Sequence, residues 1–283
     1  MATFCKAPLQ LYYFISNPLL NCLPILVVTL LAKRFCMIKQ FLKPTFLLLM
    51  SVTYNVFAEP ITLQVVTEEW PPFNYTNEQS QIVGRSTDVI KAVLAEAKID
   101  YTLNSYPWAR AVHITQTQPN VMIYSIYRNE ERESQYQWVC PLIPAVKIFV
   151  YRLRSRPDIE IKNISEAIKY RTGSNKNDSS HKYLTDHGFE AGVNLDLTND
   201  AAATIRKFVA GRLDFVMQTE YSMISQLKAL GLEYNHVEKL FPIKEYDFGA
   251  PCLAFSLSTP KELVERVKTI LQSYPHDELG TFD

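Results

Sequence analysis

Residues 61–72 read Ile61-Thr62-Leu63-Gln64-Val65-Val66-Thr67-Glu68-Glu69-Trp70-Pro71-Pro72. The first six alternate apolar and polar side chains, as a half-buried strand does, and the paired prolines stop any further ladder. A helix is expected next, over residues 88–98, where Val89, Val93 and Ala97 share a face flanked by Ile90 and Leu94. A strand feeding a helix is the repeating unit of an α/β protein, and the alternation continues down the chain. Residues 121–126 and 145–153 read as strands, the second rich in β-branched and aromatic residues. Residues 165–170 read as a short helix, and the polar loop 173–180 leads into another over residues 181–187. Helices over 201–210 and 221–230 are closed by Gly211 and Gly231, with a strand at 213–218 between them. After a strand at 253–257, Thr259-Pro260-Lys261-Glu262 predicts the last helix start: Thr259 as cap, Pro260 at the first helical position, Glu262 closing a capping box.

Working back to the N-terminus, residues 1–58 carry five basic residues (Lys6, Lys33, Arg34, Lys39, Lys43) and no acidic one. Of 29 Lys and Arg, 24 therefore follow Ala58, against 29 acidic residues, a net charge of −5 that gives no bulk signal for a nucleic-acid partner. Lys39 and Lys43, the apolar run 45–52 and the small-x-Ala site Val56-Phe57-Ala58 read as a signal peptide over 37–58, with translation starting at Met37 and residues 1–36 untranslated. The earlier apolar stretch, 19–32, is shorter than the roughly 20 residues a span needs and contains Pro24, so a signal anchor is the alternative rather than the first reading. Cys36 follows Lys33-Arg34-Phe35, not the small residues of a lipoprotein site. A cleaved leader and a periplasmic location are expected. Cys5, Cys22 and Cys36 fall in the leader, leaving Cys140 and Cys252. In an oxidising compartment these form either a disulfide or two buried thiols, and the sequence leaves both open. The histidines are scattered without metal spacing, and no cofactor or metal is expected.

Four ordered motifs carry a resemblance. Glu69-Trp70-Pro71-Pro72-Phe73-Asn74-Tyr75 follows the first strand, and Gly84-Arg85-Ser86-Thr87-Asp88 opens the first helix. Ser125-Ile126-Tyr127-Arg128-Asn129-Glu130-Glu131-Arg132-Glu133 follows a later strand and precedes Gln137-Trp138-Val139-Cys140-Pro141-Leu142. Ala210-Gly211-Arg212-Leu213-Asp214-Phe215-Val216 closes a helix and enters a strand. In this order they resemble the family 3 extracellular solute-binding proteins, the polar amino-acid-binding components of ABC importers, over residues 60–272. Trp108-Ala109-Arg110-Ala111 resembles a divergent, stand-alone branch of that family. The resemblance implies an α/β, two-lobed type II periplasmic binding protein fold with a central cleft and a two-strand hinge. Lobe 1 would comprise residues 59–145 with 246–283, and lobe 2 residues 146–245, closing on a ligand by hinge motion.

The resemblance also implies a site. Arg132 matches the arginine that holds the ligand carboxylate, a task suited to a guanidinium fork. Ser125 and Tyr127 fall at the small hydroxyl positions before it, Tyr127 as a departure that narrows the cleft. Asn129 replaces the usual threonine, and Arg128 is an extra cation. Trp70, Phe73 and Tyr75 would line an aromatic wall. In lobe 2, Ser179 is a contact candidate in a loop where Asp178 and Ser179 compete for the helix cap. Thr219 stands where relatives place the acid that pairs with a ligand ammonium, with Glu220 next to it; either Glu220 takes that role or the ligand lacks a conventional α-ammonium.

The function implied is capture of a small polar carboxylate, an amino acid or analogue, for an ABC permease in the inner membrane, by a monomer. One alternative is a periplasmic enzyme of the same fold, a cyclic-acid dehydratase with Glu220 or Glu69 as acid–base group. The other is a ligand sensor or accessory protein. No nucleophile–His–acid set or metal motif supports catalysis, so no enzyme activity is expected.

Overall fold

Every residue of strand β5 (Val121–Ile126) is buried, which a strand achieves when both faces of its sheet are covered. The structure, a computed structural model, describes residues 61–243 and 249–275. The leader, with its cleavage site and three cysteines, lies outside the described residues. Residues from Pro60 onward form one compact unit, and within it the strands separate into two groups.

In lobe 1, β1 (Leu63–Thr67) lies between β4 (Tyr101–Ser105) and β5, parallel to both, with Val65 opposite Leu103 and Met122. β12 (Cys252–Phe255) runs antiparallel to β5, and β6 (Gln137–Val139) antiparallel to β12. The resulting sheet has the order β4-β1-β5-β12-β6. β5 sends Met122 and Tyr124 to one face, with Leu63, Val65, Leu253 and Phe255. There they meet Val89, Ile90, Val93 and Leu94 of α1 (Arg85–Glu96) and Leu263, Val264, Val267 and Leu271 of α7 (Lys261–Ser273). Val121, Ile123 and Ile126 face the other way, onto Ala111 and Ile114 of α2 (Trp108–Thr117). A hairpin of β2 (Tyr75–Thr76) and β3 (Ile82–Val83) carries the chain into α1. Gly84 makes that junction possible: its φ is +114°, and a Cβ there would lie 2.5 Å from the Phe73 carbonyl oxygen. The same carbonyl accepts from Ser86 N at 2.9 Å, so the start of α1 holds the Trp70–Phe73 segment in place.

In lobe 2, β7 (Ile148–Leu153) lies antiparallel between β10 (Phe215–Thr219) and β11 (Val237–Pro242). β8 (Thr172–Asn175) and β9 (Leu195–Thr198) form a parallel pair. Asp214 N donates to Arg171 O at 2.7 Å and Thr172 Oγ1 to Phe215 O at 2.9 Å, tying that pair to β10. Alternation along β7 splits the core: Ile148 and Val150 pack with Phe215, Tyr183 and Leu184, while Tyr151 and Leu153 pack with Val216, Phe208 and Leu227. Four helices start on a side-chain cap: α3 (Ile164–Ala167) on Asn163, α4 (Ser179–Asp186) on Asp178, α5 (Ala201–Val209) on Asp200 and α6 (Glu220–Ala229) on Thr219. Gly211 and Gly231 follow α5 and α6 with φ near +70°.

The chain crosses between lobes after β6 and again after β11. Cys140 and Cys252 form a disulfide beside this crossing, resolving the choice the sequence left open. Leu142 N donates to Pro251 O at 2.7 Å next to it, and Ile243 N to Ile148 O at 2.9 Å on the lobe 2 side. One local expectation is corrected. The last helix begins at Lys261, and Thr259 makes no cap; its hydroxyl instead meets Ser256 Oγ at 2.9 Å, closing a turn after β12. Several elements lack the pattern that would announce them: β4 alternates only weakly, and β6, β8 and β9 have three or four residues each.

Candidate functional site

The carboxyl ends of β1 and β5 point towards lobe 2, where an α/β fold places its ligands. A cavity of about 100 Å³ lies there, walled from lobe 1 by Glu68, Trp70, Trp108, Ser125, Tyr127 and Arg132. From lobe 2, Asn175, Asp178, Ser179, Gln218 and Thr219 close it.

Arg132 is 9% exposed, and burial lowers its pKa from the usual value while nearby Tyr136, Asp178, Glu131 and Glu68 favour the charge. The turn that delivers it is tied at its base, because Asn129 Oδ1 accepts from Arg132 N at 3.0 Å. Its Nη1 donates to Tyr127 O at 3.1 Å and to Ser179 Oγ at 3.3 Å, and its Nη2 to Asn177 O at 2.8 Å. Nε and one Nη2 hydrogen are left among the described residues. The guanidinium lies over the Trp108 ring, 5.1 Å from its centroid. Trp108 in turn donates its indole N–H to Asn177 O at 2.8 Å. Two lobe 1 donors thus converge on one lobe 2 carbonyl, at a residue with φ +65°. Lys182 and Glu131, 3.7 Å apart, add an ion pair between the lobes.

The competition at the start of α4 is settled in favour of Asp178. Its carboxylate accepts from His181 N at 2.6 Å and Ser174 Oγ at 2.9 Å. Ser179 is thereby released to meet Arg132. Ser125, one residue before the end of β5, has φ +62°, and its buried Oγ has no hydrogen-bond partner. A serine held in the left-handed region with an unpaired hydroxyl on a cavity wall is the kind of local strain that clusters at binding sites. Burial, with the negative charge of Glu68, pushes the Tyr127 phenol well above its usual range.

Glu68 is the residue that sequence reasoning missed. Its carboxylate accepts one hydrogen bond, a long one of 3.4 Å from Asn175. Burial first, and then the charge of Asp178, push its pKa up to about 8. The signal was its place immediately after β1, at the carboxyl end of a central strand.

The other expected residues fall as follows. Trp70 and Tyr127 line the cavity, with ring centroids 6.1 Å apart in an edge-on contact. Phe73 lies behind them, 1% exposed in the lobe 1 core and 4.4 Å from the Trp70 ring. Tyr75 is paired with Val83 in the hairpin and does not reach the cavity wall. Thr219 is on the wall, but its hydroxyl accepts from Ser222 N at 3.2 Å as the α6 cap. Glu220 is turned away: it accepts from Lys239 and Tyr234, each at 2.8 Å, and the bond from Lys239 lowers its pKa. A ligand role for Glu220 would require breaking that pair. Glu69 accepts from Thr76 N and Oγ1, both at 2.8 Å, and from Ser105 Oγ. Arg128 pairs with Glu133 outside the cavity. Among the described residues there is no His/Cys/Asp/Glu group that could hold a metal and no helix long and apolar enough to cross a membrane.

Two α/β lobes joined by paired crossings and closing on a polar cavity define a solute-binding protein of the type II fold. Residues 63–277 match the bacterial extracellular solute-binding proteins, family 3, and the chain belongs to that family. Among solved structures it is similar to an ancestral arginine-binding protein bound to arginine, with TM-score 0.67 and 17% identity over 77% of this chain and 96% of that one. A Salmonella typhimurium periplasmic binding protein with high arginine specificity gives TM-score 0.66 and 14% identity, over 77% and 96%. A histidine kinase sensor domain similar to periplasmic binding proteins gives TM-score 0.67 and 16% identity, over 75% and 89%. No curated relative matches the chain.

Proposed function

We propose that this protein is a periplasmic receptor that captures a small polar carboxylate, an amino acid or analogue, for delivery to an ABC-type permease, and that it is not an enzyme. The observation that carries this reading is the buried Arg132 guanidinium on a cavity walled by both lobes, beside an unpartnered Ser125 hydroxyl and within reach of Ser179. A carboxylate placed there would take the free N–H groups of Arg132 in charge-assisted bonds and satisfy Ser125. Trp70 and Tyr127 supply apolar surface for the rest of the ligand. Membership of an extracellular solute-binding family supports export to the periplasm and a membrane transporter as partner. We read residues 59–145 with 246–283 as one lobe and 146–245 as the other, and the protein as a monomer.

Isothermal titration calorimetry against amino acids and organic acids tests the reading. Arg132→Ala is expected to weaken the carboxylate that binds by a hundredfold or more, and Arg132→Lys by less. Unchanged affinity in Arg132→Ala would refute the site.

A further inference from the structure

The Asn177 carbonyl is where lobe 2 meets two lobe 1 donors, Arg132 Nη2 and the Trp108 indole N–H, each at 2.8 Å. Asn177 presents it from the left-handed region, φ +65°, a conformation open to asparagine but one its surroundings must hold. A side chain holds the other end of the residue. Asn177 N donates to His181 Nδ1 at 3.1 Å. His181 is placed in turn by the start of α4, where its own N–H donates to Asp178 at 2.6 Å. The imidazole therefore fixes the peptide entering Asn177, while the two lobe 1 donors take the peptide leaving it.

That bond exists in one protonation state. A neutral imidazole can offer Nδ1 as an acceptor, whereas an imidazolium is a donor at both nitrogens. A proton on Nδ1 would set two N–H groups against each other. It would also add positive charge to the first turn of α4, where the helix dipole opposes it. His181 lines a second cavity of about 470 Å³ at the seam between the lobes, on a wall shared with Arg132. The charged groups around that cavity are Asp178, Lys182 and Asp186 on α4, and Glu131 and Arg132 on the turn after β5. Helix α2 brings only Val112 and Gln116 to it. Lys182 is engaged by Asp186 at 3.0 Å and Glu131 at 3.7 Å.

We propose that His181 is a positioning residue of the solute site: by accepting from Asn177 N it aims the Asn177 carbonyl at Arg132 and Trp108. Its effect on affinity rests on the reading of the Arg132 cavity as the solute site; its effect on the contact between the lobes does not. The bond is present while the imidazole is neutral and is lost as pH falls through the imidazole range, from about 8 to 5. Acid therefore loosens the lobes and the hold on Arg132.

The first readout needs no ligand. The chain has three tryptophans, so the Trp108 indole N–H is one of three indole signals in a nitrogen-15 spectrum. Its hydrogen exchange reports the bond to Asn177 O. Trp138, which donates its indole N–H to Glu133 O within lobe 1, is the internal control. In wild type, Trp108 protection is expected to fall roughly threefold to tenfold between pH 7.5 and 5. In His181→Phe it is expected to be that low at every pH. His181→Asn keeps an acceptor, Oδ1, that takes up no proton, and is expected to hold the pH 7.5 level throughout. Glu68, with its pKa pushed up to about 8, changes charge over the same range in every variant, so wild type against His181→Asn isolates the imidazole. Calorimetry with the standard L-amino acids and simple organic acids then reads the site. The tightest probe is expected to bind His181→Phe roughly threefold to tenfold more weakly at pH 7.5, and His181→Asn as tightly as wild type. Circular dichroism and thermal melts check folding; if His181→Phe does not fold, wild type against His181→Asn decides. If folded His181→Phe keeps wild-type Trp108 protection, or the acid loss persists in His181→Asn, the inference is overturned. If Trp108 protection follows His181 but an Arg132-dependent probe binds His181→Phe as tightly as wild type, the positioning role is overturned and the solute site stands. If Trp108 protection follows His181 and no probe depends on Arg132, the solute reading falls and the role of His181 between the lobes stands.

Discussion

Replacing Glu68 with glutamine removes a carboxyl group that the fold holds protonated far above its ordinary pKa. In the unfolded chain that group titrates near 4.5, and in the folded chain near 8. Between those values the folded state keeps a proton that the unfolded state has released, so stability falls as pH rises. At about 1.4 kcal/mol per pH unit, the side chain costs the fold about 3 kcal/mol at pH 7 and under about 1 kcal/mol at pH 5. Glutamine has the shape of the protonated acid and does not titrate. The variant should therefore be more stable than wild type at pH 7, by an amount that shrinks as pH is lowered. For a chain of this size, roughly 2–4 °C per kcal/mol gives a rise in melting temperature on the order of 10 °C at pH 7. Melts of both proteins without ligand, at half-unit steps from pH 5 to 8, provide the assay. A difference that does not change with pH, or a glutamine variant less stable at pH 7, would refute the argument that desolvation raises the Glu68 pKa in the folded chain.

Four further outcomes are expected. Trp108→Phe removes one of the two donors to Asn177 O, so hydrogen exchange should rise in residues 175–180 and stay unchanged in β5. Glu220→Gln should leave ligand affinity within twofold. Because the Glu220 pKa is lowered by Lys239, its small stabilisation, within the ~0.2–1 kcal/mol of an exposed pair, is present above pH 4.5 and lost as pH falls through the lowered value. Replacing Cys140 and Cys252 by serine opens a cross-link of 112 residues, worth about 4–5 kcal/mol in the chain-entropy picture, and the denaturant midpoint should fall accordingly. Leu253→Ala, at a fully buried position between β5 and β6, should cost roughly 2–5 kcal/mol in chemical denaturation.

The central strands and most helices were legible because their signals are local. β5 falls on the expected residues, and Gly211 and Gly231 follow α5 and α6 as expected. Elements whose stability comes from neighbours were not: β8 is Thr-Gly-Ser-Asn, a sequence that reads as a loop and becomes a strand through its pairing with β9 and its link to β10. Thr259 failed as a cap because Ser256, three residues earlier, offered its hydroxyl a different partner. At the site, motif spacing directed attention to Arg132, Ser125, Tyr127 and Trp70, which the fold gathers on one cavity wall. It also directed attention to Phe73, Tyr75 and Glu220, which face elsewhere. Both Glu68 and Glu69 reach the cavity, and which of them stays free of close partners depends on the hydroxyls of Thr76 and Ser105 that claim Glu69. The place after β1 marks the pair of glutamates, but no sequence pattern says which of the two the hydroxyls claim.

The carbonyl of Asn177 accepts from both Arg132 and Trp108 using only protein atoms. The lobes therefore have a way to shut on each other that is blind to what lies between them. A membrane partner that sensed closure alone would read a background signal from empty receptors. On the proposed reading, what would separate signal from background is a group the protein leaves unmatched, the Ser125 hydroxyl. A cargo that paired with it would deepen the closed state; one that did not would leave that state no more populated than in its absence.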